Sequence, residues 1–144
     1  MRGAYCLVLL LERNLSVRVG ALGAFTFPSG VYVYVGSAQA GVEQRIARHL
    51  RRGRHKRWHI DYLLDDAEVM STIGVATDRK EDECEIAQTL LRSEGAAVVA
   101  PGFGSSDCRC RSHLIFFGDA DRERAVETVA MQLSLLRCVY PKAL

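Results

Sequence analysis

The chain has 144 residues, of which 49% are apolar, and its formal net charge is +2. A chain of this length buries about two thirds of the surface that its unfolded form exposes, which is enough for one hydrophobic core. We therefore predict a single domain over residues 1–144 and exclude a uniformly basic or acidic protein. The apolar run Leu7–Leu11 is much shorter than the about 20 residues that span a bilayer, so we predict a soluble, cytoplasmic protein without a membrane partner. Five cysteines, an odd number, favour reduced thiols over a disulfide framework.

The first part of the chain predicts strands. Ala4–Leu11 is a continuous apolar run with β-branched and aromatic members, as in a strand that is covered on both faces. The alternation in Ser16–Val19 predicts a half-exposed partner strand. Gly20–Pro28 is rich in glycine and leads into a turn, which predicts a loop or a bulged strand. Val31–Val35 consists of strong strand formers, and Gly36 is predicted to end this strand.

The segment between Gly41 and Arg52 predicts a helix. Its apolar residues Val42, Ile46 and Leu50 recur at every fourth position, which lays one apolar stripe along the helix. This stripe is expected to pack on the core.

Two polar residues of this helix, Arg45 and His49, are spaced i, i+4 and project beside the apolar stripe. We expect them to lie at the edge of the core, where the helix meets a cleft. Arg48, Arg51 and Arg52 point further toward solvent.

The rest of the chain alternates predicted helices and strands. The sequence WHIDYLL predicts a short helix or turn with Trp58 and Ile60 packed inward. The predicted elements that follow are strand Ile73–Ala76, helix Glu81–Arg92, strand Ala97–Val99, a glycine-rich loop and strand His113–Phe117. A last helix is predicted after them, with Asp119 or Asp121 as its N-cap. Its apolar stripe consists of Val126, Val129, Leu133 and Leu136. Mixed elements of this kind predict an α/β (α+β) fold in which helices cover a small sheet.

Glu83 stands out in the predicted helix Glu81–Arg92. At 100° per residue it lies near the middle of the apolar stripe, whereas Glu81 and Glu85 point away from it. A carboxylate that faces a core needs a partner or a function.

Basic residues are concentrated in a stretch of thirteen positions. They are Arg45, Arg48, Arg51, Arg52, Arg54, Lys56 and Arg57. The simplest interpretation is a solvated surface, but the position of the cluster beside Arg45 and His49 favours contacts with a phosphate backbone.

A second cluster contains metal-ligand residue types. Cys108, Cys110 and His113 lie close in sequence, and Cys84 is a possible fourth ligand. The C-x-C spacing is unusual for zinc, so zinc binding and buried or loop thiols both remain open. The preceding GFGSSD segment could place backbone amides around a phosphate, but it lacks the Lys-Ser/Thr of a P-loop.

The order of several motifs resembles a known nuclease superfamily. Gly3-Ala4-Tyr5, Tyr34-Val35-Gly36, Arg45, His49 and Glu83 together resemble the GIY-YIG nucleases. The segments YVGSA, RIARHL, WHIDYLL, ECEIA and GFGSSDCRC are similar to the Uri-type branch, which consists of small standalone archaeal and bacterial proteins. This second similarity extends over nearly the whole chain.

The resemblance implies a small central, mainly antiparallel sheet flanked by helices, and a divalent-metal-dependent endonuclease that hydrolyses phosphodiester bonds in DNA during repair or processing. By position, Tyr5, Tyr34, Arg45 and His49 would be catalytic, and Glu83 would be catalytic and hold Mg²⁺ or Mn²⁺. Together with the basic cluster, this gives as predicted nucleic-acid contacts Ser37, Arg48, Arg51, Arg52, Arg54, Lys56, Arg57 and His59.

The general base is left open between a tyrosinate and His49. The pKa of a tyrosine would have to fall by about 3 units, which is roughly 4 kcal/mol, for it to be half ionised near neutral pH. A histidine base would need a much smaller change.

The chain also departs from the superfamily pattern. The interval between Tyr5 and Tyr34 is longer than usual, and Gly30-Val31-Tyr32 is a competing match for the first motif. Ser37 replaces the lysine that commonly follows the second motif. The alternative function is therefore a weakly catalytic or non-catalytic nucleic-acid-binding module on the same fold, with RNA as a further possible partner, acting as a monomer or weak homodimer.

Overall fold

The computed structural model describes residues 2–51, 53, 55–119, 124, 127, 129, 131 and 139–143. Two of the predicted nucleic-acid contacts, Arg52 and Arg54, lie outside the described residues. Most of the predicted last helix also lies outside them, although the described residues 124, 127, 129 and 131 are helical. Within the described part of the chain, no helix has the length and apolar character needed to cross a membrane.

The described elements are strands joined by short helices. In chain order they are β1 (Gly3–Leu11), β2 (Leu15–Val19), β3 (Gly23–Phe27), β4 (Gly30–Ala38), α1 (Val42–Leu50), α2 (Asp61–Leu64), β5 (Glu68–Ala76), α3 (Glu81–Leu91), β6 (Leu114–Phe116) and β7 (Val139–Ala143). The main sheet has the order β6-β4-β1-β5-β7, and each neighbouring pair is antiparallel. The predicted α+β fold with a mainly antiparallel sheet is therefore confirmed.

The strand β1 is central in this sheet and is buried along most of its length. Its alternate side chains enter two different cores, since successive residues of a strand face opposite sides of the sheet. Tyr5 and Leu7 belong to the core that α1 and α2 cover, whereas Cys6 and Val8 belong to the core that α3 covers. This explains why the β1 sequence is apolar without alternation.

The hairpin of β2 and β3 fills the long interval between the two motif tyrosines. Gly20–Pro28, predicted as a loop or bulged strand, contains a 3-10 turn over Gly20–Leu22 and then the regular strand β3. Val19 and Phe27 are buried at the ends of the hairpin and join the same core as Tyr5.

The prediction that Gly36 ends β4 is wrong, because β4 continues to Ala38. Gly36 pairs directly with Tyr5 across the sheet. A Cβ atom on Gly36 would lie 2.5 Å from the Tyr5 ring and its hydroxyl. Glycine is thus required at this position by the ring of its neighbour and not by the end of a strand.

The helices agree more closely with the predictions than the shorter strands do. The predicted α1 and α3 agree within two residues of their observed ends, although Leu50, at the end of α1, is 40% exposed. Ala97–Val99 is not a strand, because Ala97 makes only an isolated bridge to Phe116. β5 begins at Glu68, before the predicted start, and β7 was not predicted.

Candidate active site and metal centre

Tyr5, Tyr34 and His49 come together on one face of the main sheet. β1 and β4 are antiparallel neighbours, and the Tyr5 and Tyr34 rings lie 6.3 Å apart between centroids. α1 packs on this face and places the His49 ring 5.6 Å from Tyr5 and 6.3 Å from Tyr34. The Tyr5 hydroxyl forms a 2.7 Å hydrogen bond with His49 Nε2. His49 is only 2% exposed and thus lies deeper than the predicted edge of the core.

The competing first-motif tyrosine, Tyr32, has different neighbours. Its hydroxyl donates to the Pro28 carbonyl, and its ring packs 4.6 Å from that of Phe116. The contact with His49 therefore singles out Tyr5 as the partner of Tyr34.

The environment of both site tyrosines disfavours their ionisation, because it raises the pKa of each. Burial raises the pKa of Tyr5, and the charge and hydrogen bonding of Arg45 offset this only in part. Burial also raises the pKa of Tyr34 well above its ordinary value, and the neighbouring Tyr5 adds to the increase. The structure thus opposes the pKa decrease that a tyrosinate base requires.

Arg45 lies beside the tyrosines and is held from two sides. Its Nη1 atom donates to the Ser37 carbonyl at 3.2 Å. Its guanidinium lies 4.2 Å from the centre of the Trp58 ring. These contacts fix the charge next to the Tyr5 hydroxyl, and the rest of the guanidinium fork can donate further hydrogen bonds.

Asp61, which was not predicted as a site residue, is a fully buried carboxylate beside His49. Arg48 donates to both of its oxygens, at 3.0 and 3.2 Å, and the amides of Arg57 and Trp58 donate at 2.8 and 2.9 Å. Asp61 Oδ1 also lies 3.8 Å from His49 Nδ1. Burial raises the pKa of Asp61, but the hydrogen bonds from Arg48 and the two amides outweigh it and lower the pKa overall.

Part of the environment of Asp61 is local in sequence. Asp61 is the first residue of α2 and follows a basic stretch. Its side chain accepts hydrogen bonds from the amides of Arg57 and Trp58, which precede the helix. Its distant partners, Arg48 and His49, are brought to it only by the fold.

Three basic side chains lie over the Trp58 ring. The guanidiniums of Arg45, Arg48 and Arg57 lie 4.2, 4.3 and 4.8 Å from its centroid. Its edge also meets the His49 ring, with centroids 5.9 Å apart. Trp58 is half-buried against the core, in partial agreement with its predicted inward packing, and its ring brings three positive charges close together.

The other basic residues differ in how far they are engaged. Lys56 pairs with Asp65 and also donates to the Asp61 carbonyl at 3.2 Å. Arg51 and Arg57 have exposed positions. The guanidinium of Arg57 lies over the Trp58 ring, whereas the charge of Lys56 faces the Asp65 carboxylate.

His59 lies at the rim of a pocket next to the tyrosines. Its Nδ1 atom accepts a hydrogen bond from the Gly104 amide at 2.8 Å, and its ring packs 5.6 Å from Phe103. Burial lowers the pKa of His59, which favours the neutral ring with its proton on Nε2. The pocket, of about 250 Å³, is lined by Tyr34, Arg57, Trp58, His59, Gly104, Ser106 and Asp107.

Glu83 points inward from α3, in agreement with its position on the apolar stripe. Its side chain is 13% exposed, whereas that of Glu85 is 49% exposed. Burial raises the pKa of Glu83, and a hydrogen bond from the Ser37 hydroxyl partly offsets this effect. Ser37 therefore contacts both residues: its hydroxyl donates to Glu83, and its carbonyl accepts a hydrogen bond from Arg45.

The second residue cluster is assembled by the fold. Cys84, Cys108, Cys110 and His113 offer ligand atoms that all lie within 4.8 Å of one another. His113 is fully buried, and its Nε2 atom lies 3.5 Å from Cys108 Sγ and 3.8 Å from Cys84 Sγ. This cluster could hold a metal ion.

The electrostatics of this cluster reflect its crowding. Burial raises the pKa of the Cys84 thiol, and the nearby Cys110 and Cys108 thiols add to the increase. Burial lowers the pKa of His113, although Asp107 and the backbone of Val35 oppose this. Without a cation, Cys84 and His113 therefore favour their neutral forms.

Comparisons with known proteins give one match. Neither the curated proteins nor the solved structures contain a match to the chain. A family model described as "Domain of unknown function DUF123" matches residues 4–135. That segment includes Tyr5, Tyr34, His49, Glu83 and the cysteine cluster. The chain therefore belongs to the DUF123 family, a family of domains of unknown function.

Proposed function

We propose that the protein is a divalent-metal-dependent endonuclease that hydrolyses phosphodiester bonds in DNA, in repair or processing. The observation that carries the proposal is the connected series Tyr5–His49–Asp61, with a 2.7 Å hydrogen bond at one end and a 3.8 Å approach at the other. A positive group, Arg45, and a covered carboxylate, Glu83, adjoin this series. The resemblance of Tyr5, Arg45, His49 and Glu83 to the motif residues of the GIY-YIG nucleases supports the same reaction.

The proposed base is His49, acting through Tyr5. Asp61 faces Nδ1 and favours the tautomer with its proton there, so that Nε2 can accept a proton from the Tyr5 hydroxyl. Tyr5 in turn takes a proton from the attacking water. This relay fits the environment better than a resting tyrosinate, because burial opposes ionisation of Tyr5.

Arg45 is proposed to hold the scissile phosphate. One of its nitrogen atoms donates to the Ser37 carbonyl, which leaves other donors of the fork for non-bridging phosphate oxygens. The pocket beside Tyr34 and His59 is also lined by Trp58, over whose ring the Arg45 guanidinium lies. Arg51 and Arg57 would contact neighbouring phosphates of the strand.

Glu83 is the proposed Mg²⁺ or Mn²⁺ ligand. Mg²⁺ is commonly bound through one or two carboxylates and otherwise by waters and substrate phosphate. Glu83 fits this role because its carboxylate is desolvated and lies close enough to Asp107 for that charge to raise its pKa. When bound, Mg²⁺ would neutralise charge on the phosphate and stabilise the leaving oxygen.

Nicking of supercoiled plasmid in Mg²⁺, Mn²⁺ or EDTA tests the proposal. Tyr5→Phe keeps the ring and removes only the hydroxyl, so we expect the rate to fall by about 10²–10⁴-fold. Tyr32→Phe is the matched control, because its hydroxyl donates to the Pro28 carbonyl instead. Unchanged nicking by Tyr5→Phe would rule out the relay.

A second candidate is a nucleic-acid-binding module that does not cleave. It is favoured by the burial of the proposed proton-transfer groups, since Tyr5 is 1% exposed and Tyr34 is 6% exposed. Ser37 in the place of a lysine also favours it. Binding to DNA or RNA with a steep salt dependence, but without cleavage of plasmid, branched or damaged substrates, would establish this function.

A further inference from the structure

The thiol and imidazole cluster is built from separate parts of the chain. Cys84 lies on α3, Cys108 and Cys110 lie in the following loop, and His113 immediately precedes β6. We propose that these residues bind one Zn²⁺ ion in a closed, tetrahedral Cys₃His site. This inference goes beyond the proposed nuclease function and does not depend on it, because the site holds a structural ion.

The distances from His113 Nε2 to two of the sulfurs fit a tetrahedral zinc site. Zinc lies about 2.3 Å from a cysteine sulfur and about 2.0–2.1 Å from a histidine nitrogen, so a tetrahedral site separates sulfur from nitrogen by about 3.5 Å. His113 Nε2 lies 3.5 and 3.8 Å from the sulfurs of Cys108 and Cys84. The imidazole thus already presents its nitrogen at the distance from the two sulfurs that coordination requires.

The loop that carries the ligands is held in place by its backbone. The Gly102 amide donates to the Arg111 carbonyl at 2.7 Å, and the His113 amide donates to the Phe103 carbonyl at 2.7 Å. A site that is formed before the ion binds loses little conformational entropy on binding.

The donor set selects zinc over harder ions and over a disulfide. Thiolates with imidazole in a tetrahedral arrangement favour zinc, whereas Mg²⁺ prefers oxygen ligands. A disulfide would use two sulfurs and leave the third thiol and the buried imidazole unexplained. Gln88 Nε2 also lies 3.7 Å from Cys110 Sγ, as expected of a donor that supports a thiolate.

Glu83 is not one of the proposed zinc ligands but lies next to the His113 ring. Its Oε1 atom lies 3.4 Å from His113 Nδ1, on the opposite side of the ring from the sulfurs. A carboxylate this close to Nδ1 favours the tautomer with its proton on Nδ1, which leaves Nε2 free to bind metal. Glu83 is therefore a positioning residue for zinc, and its bond from Ser37 connects the zinc site to the proposed active site.

The first experiment measures bound metal in protein that is purified with a reductant. We expect one zinc ion per chain, and we expect Cys108→Ser and Cys110→Ser to lose it. Cys6→Ala is the matched control, because this buried thiol is outside the cluster. Equal zinc in the serine variants and the wild type, iron in place of zinc, or no metal after growth with zinc would each overturn the proposal.

Two further measurements keep the test decisive. If the serine variants do not fold, Co²⁺ is substituted into the wild type, where we expect thiolate charge-transfer and tetrahedral ligand-field bands; their absence would overturn the site.

The second measurement is zinc affinity, determined in competition with a chromophoric chelator. Glu83→Gln should weaken this affinity by about 10–100-fold. Glu85→Gln should not, and equal affinities would remove the role of Glu83. These zinc measurements contain no nucleic acid, so a negative result would count against the zinc site and not against the nuclease proposal.

Discussion

The Tyr5 hydroxyl and His49 Nε2 lie 2.7 Å apart and join the central strand of the sheet to α1. Both residues are almost fully buried, so this hydrogen bond is shielded from competing water. The same geometry positions a proton acceptor for Tyr5 and fixes the helix on the sheet. Changes that move Tyr5 should therefore alter both stability and the proposed activity.

Gly36→Ala is the first such change. The new Cβ would lie 2.5 Å from the Tyr5 ring, and the ring has no free space because it is buried. We expect the free energy of unfolding in urea to fall by about 1–3 kcal/mol, a typical cost of overpacking. Tyr5→Leu should reduce this penalty in a double-mutant cycle. If the effects of Gly36→Ala and Tyr5→Leu on the free energy of unfolding are additive, the Tyr5 ring is not the cause of the destabilisation.

Asp61→Asn removes the charge that Arg48 and two backbone amides surround. Breaking a buried ion pair by neutralising one partner leaves the other charge uncompensated, so we expect a loss of about 3 kcal/mol in the free energy of unfolding at neutral pH. Asp65→Asn is the control, since the Asp65 side chain is half exposed and pairs with a surface lysine. Equal effects of the two substitutions would contradict a special role for Asp61.

The same carboxylate should give a pH dependence of defined sign. The pKa of Asp61 is lowered in the folded protein, so its contribution is present above the unfolded value of about 3.9 and is lost as the pH falls through the folded pKa. Urea unfolding of the wild type and of Asp61→Asn should therefore converge as the pH is lowered below about 4. If the difference in free energy of unfolding between the wild type and Asp61→Asn stays constant down to acidic pH, ionisation of Asp61 is not its cause.

The long elements could be predicted from the sequence because their signals are local. The apolar run of β1 and the stripes of α1 and α3 depend on neighbours within one element. Gly36 could not be understood in this way, since the reason for glycine is a ring on the adjacent strand. The Pro141-containing strand β7 also escaped prediction, because it is an edge strand with a short and irregular pattern.

The site shows the same division between local and distant signals. Tyr5, Tyr34, Arg45 and His49 could be selected because their order resembles a known series, and the structure brings them together. Asp61 was missed because the side chains that it contacts, Arg48 and His49, lie 13 and 12 positions away in sequence. The cysteine cluster was recognised by residue type alone, since only the fold brings α3 to the loop before β6.

Arg57→Gln should weaken DNA binding and its salt dependence. Each phosphate contact contributes about 0.9 to the slope of log affinity against log salt for duplex DNA, so we expect the slope to decrease by about that amount. Lys56→Gln is a control one position away, and it should change the slope less because Asp65 already pairs with Lys56. Titrations over a range of salt concentrations measure both slopes. Equal changes would show that the ion pair does not limit Lys56.

Glu83→Ala should abolish plasmid nicking while DNA binding remains measurable. The reason is that Glu83 is the proposed ligand of the catalytic ion, whereas the exposed arginines supply the affinity for phosphate. Glu85→Ala is the matched control on the same helix, because its side chain is 49% exposed and pairs with Arg79.

The zinc content of Glu83→Ala has to be measured alongside its activity, since Glu83 also faces His113 at 3.4 Å. If the variant is saturated with zinc and does not nick DNA, the loss arises at the proposed Mg²⁺ site. If adding zinc restores nicking, Glu83 acts only through His113 and the proposed Mg²⁺ ligand is wrong. Nicking at the wild-type rate without added zinc would remove Glu83 from catalysis altogether.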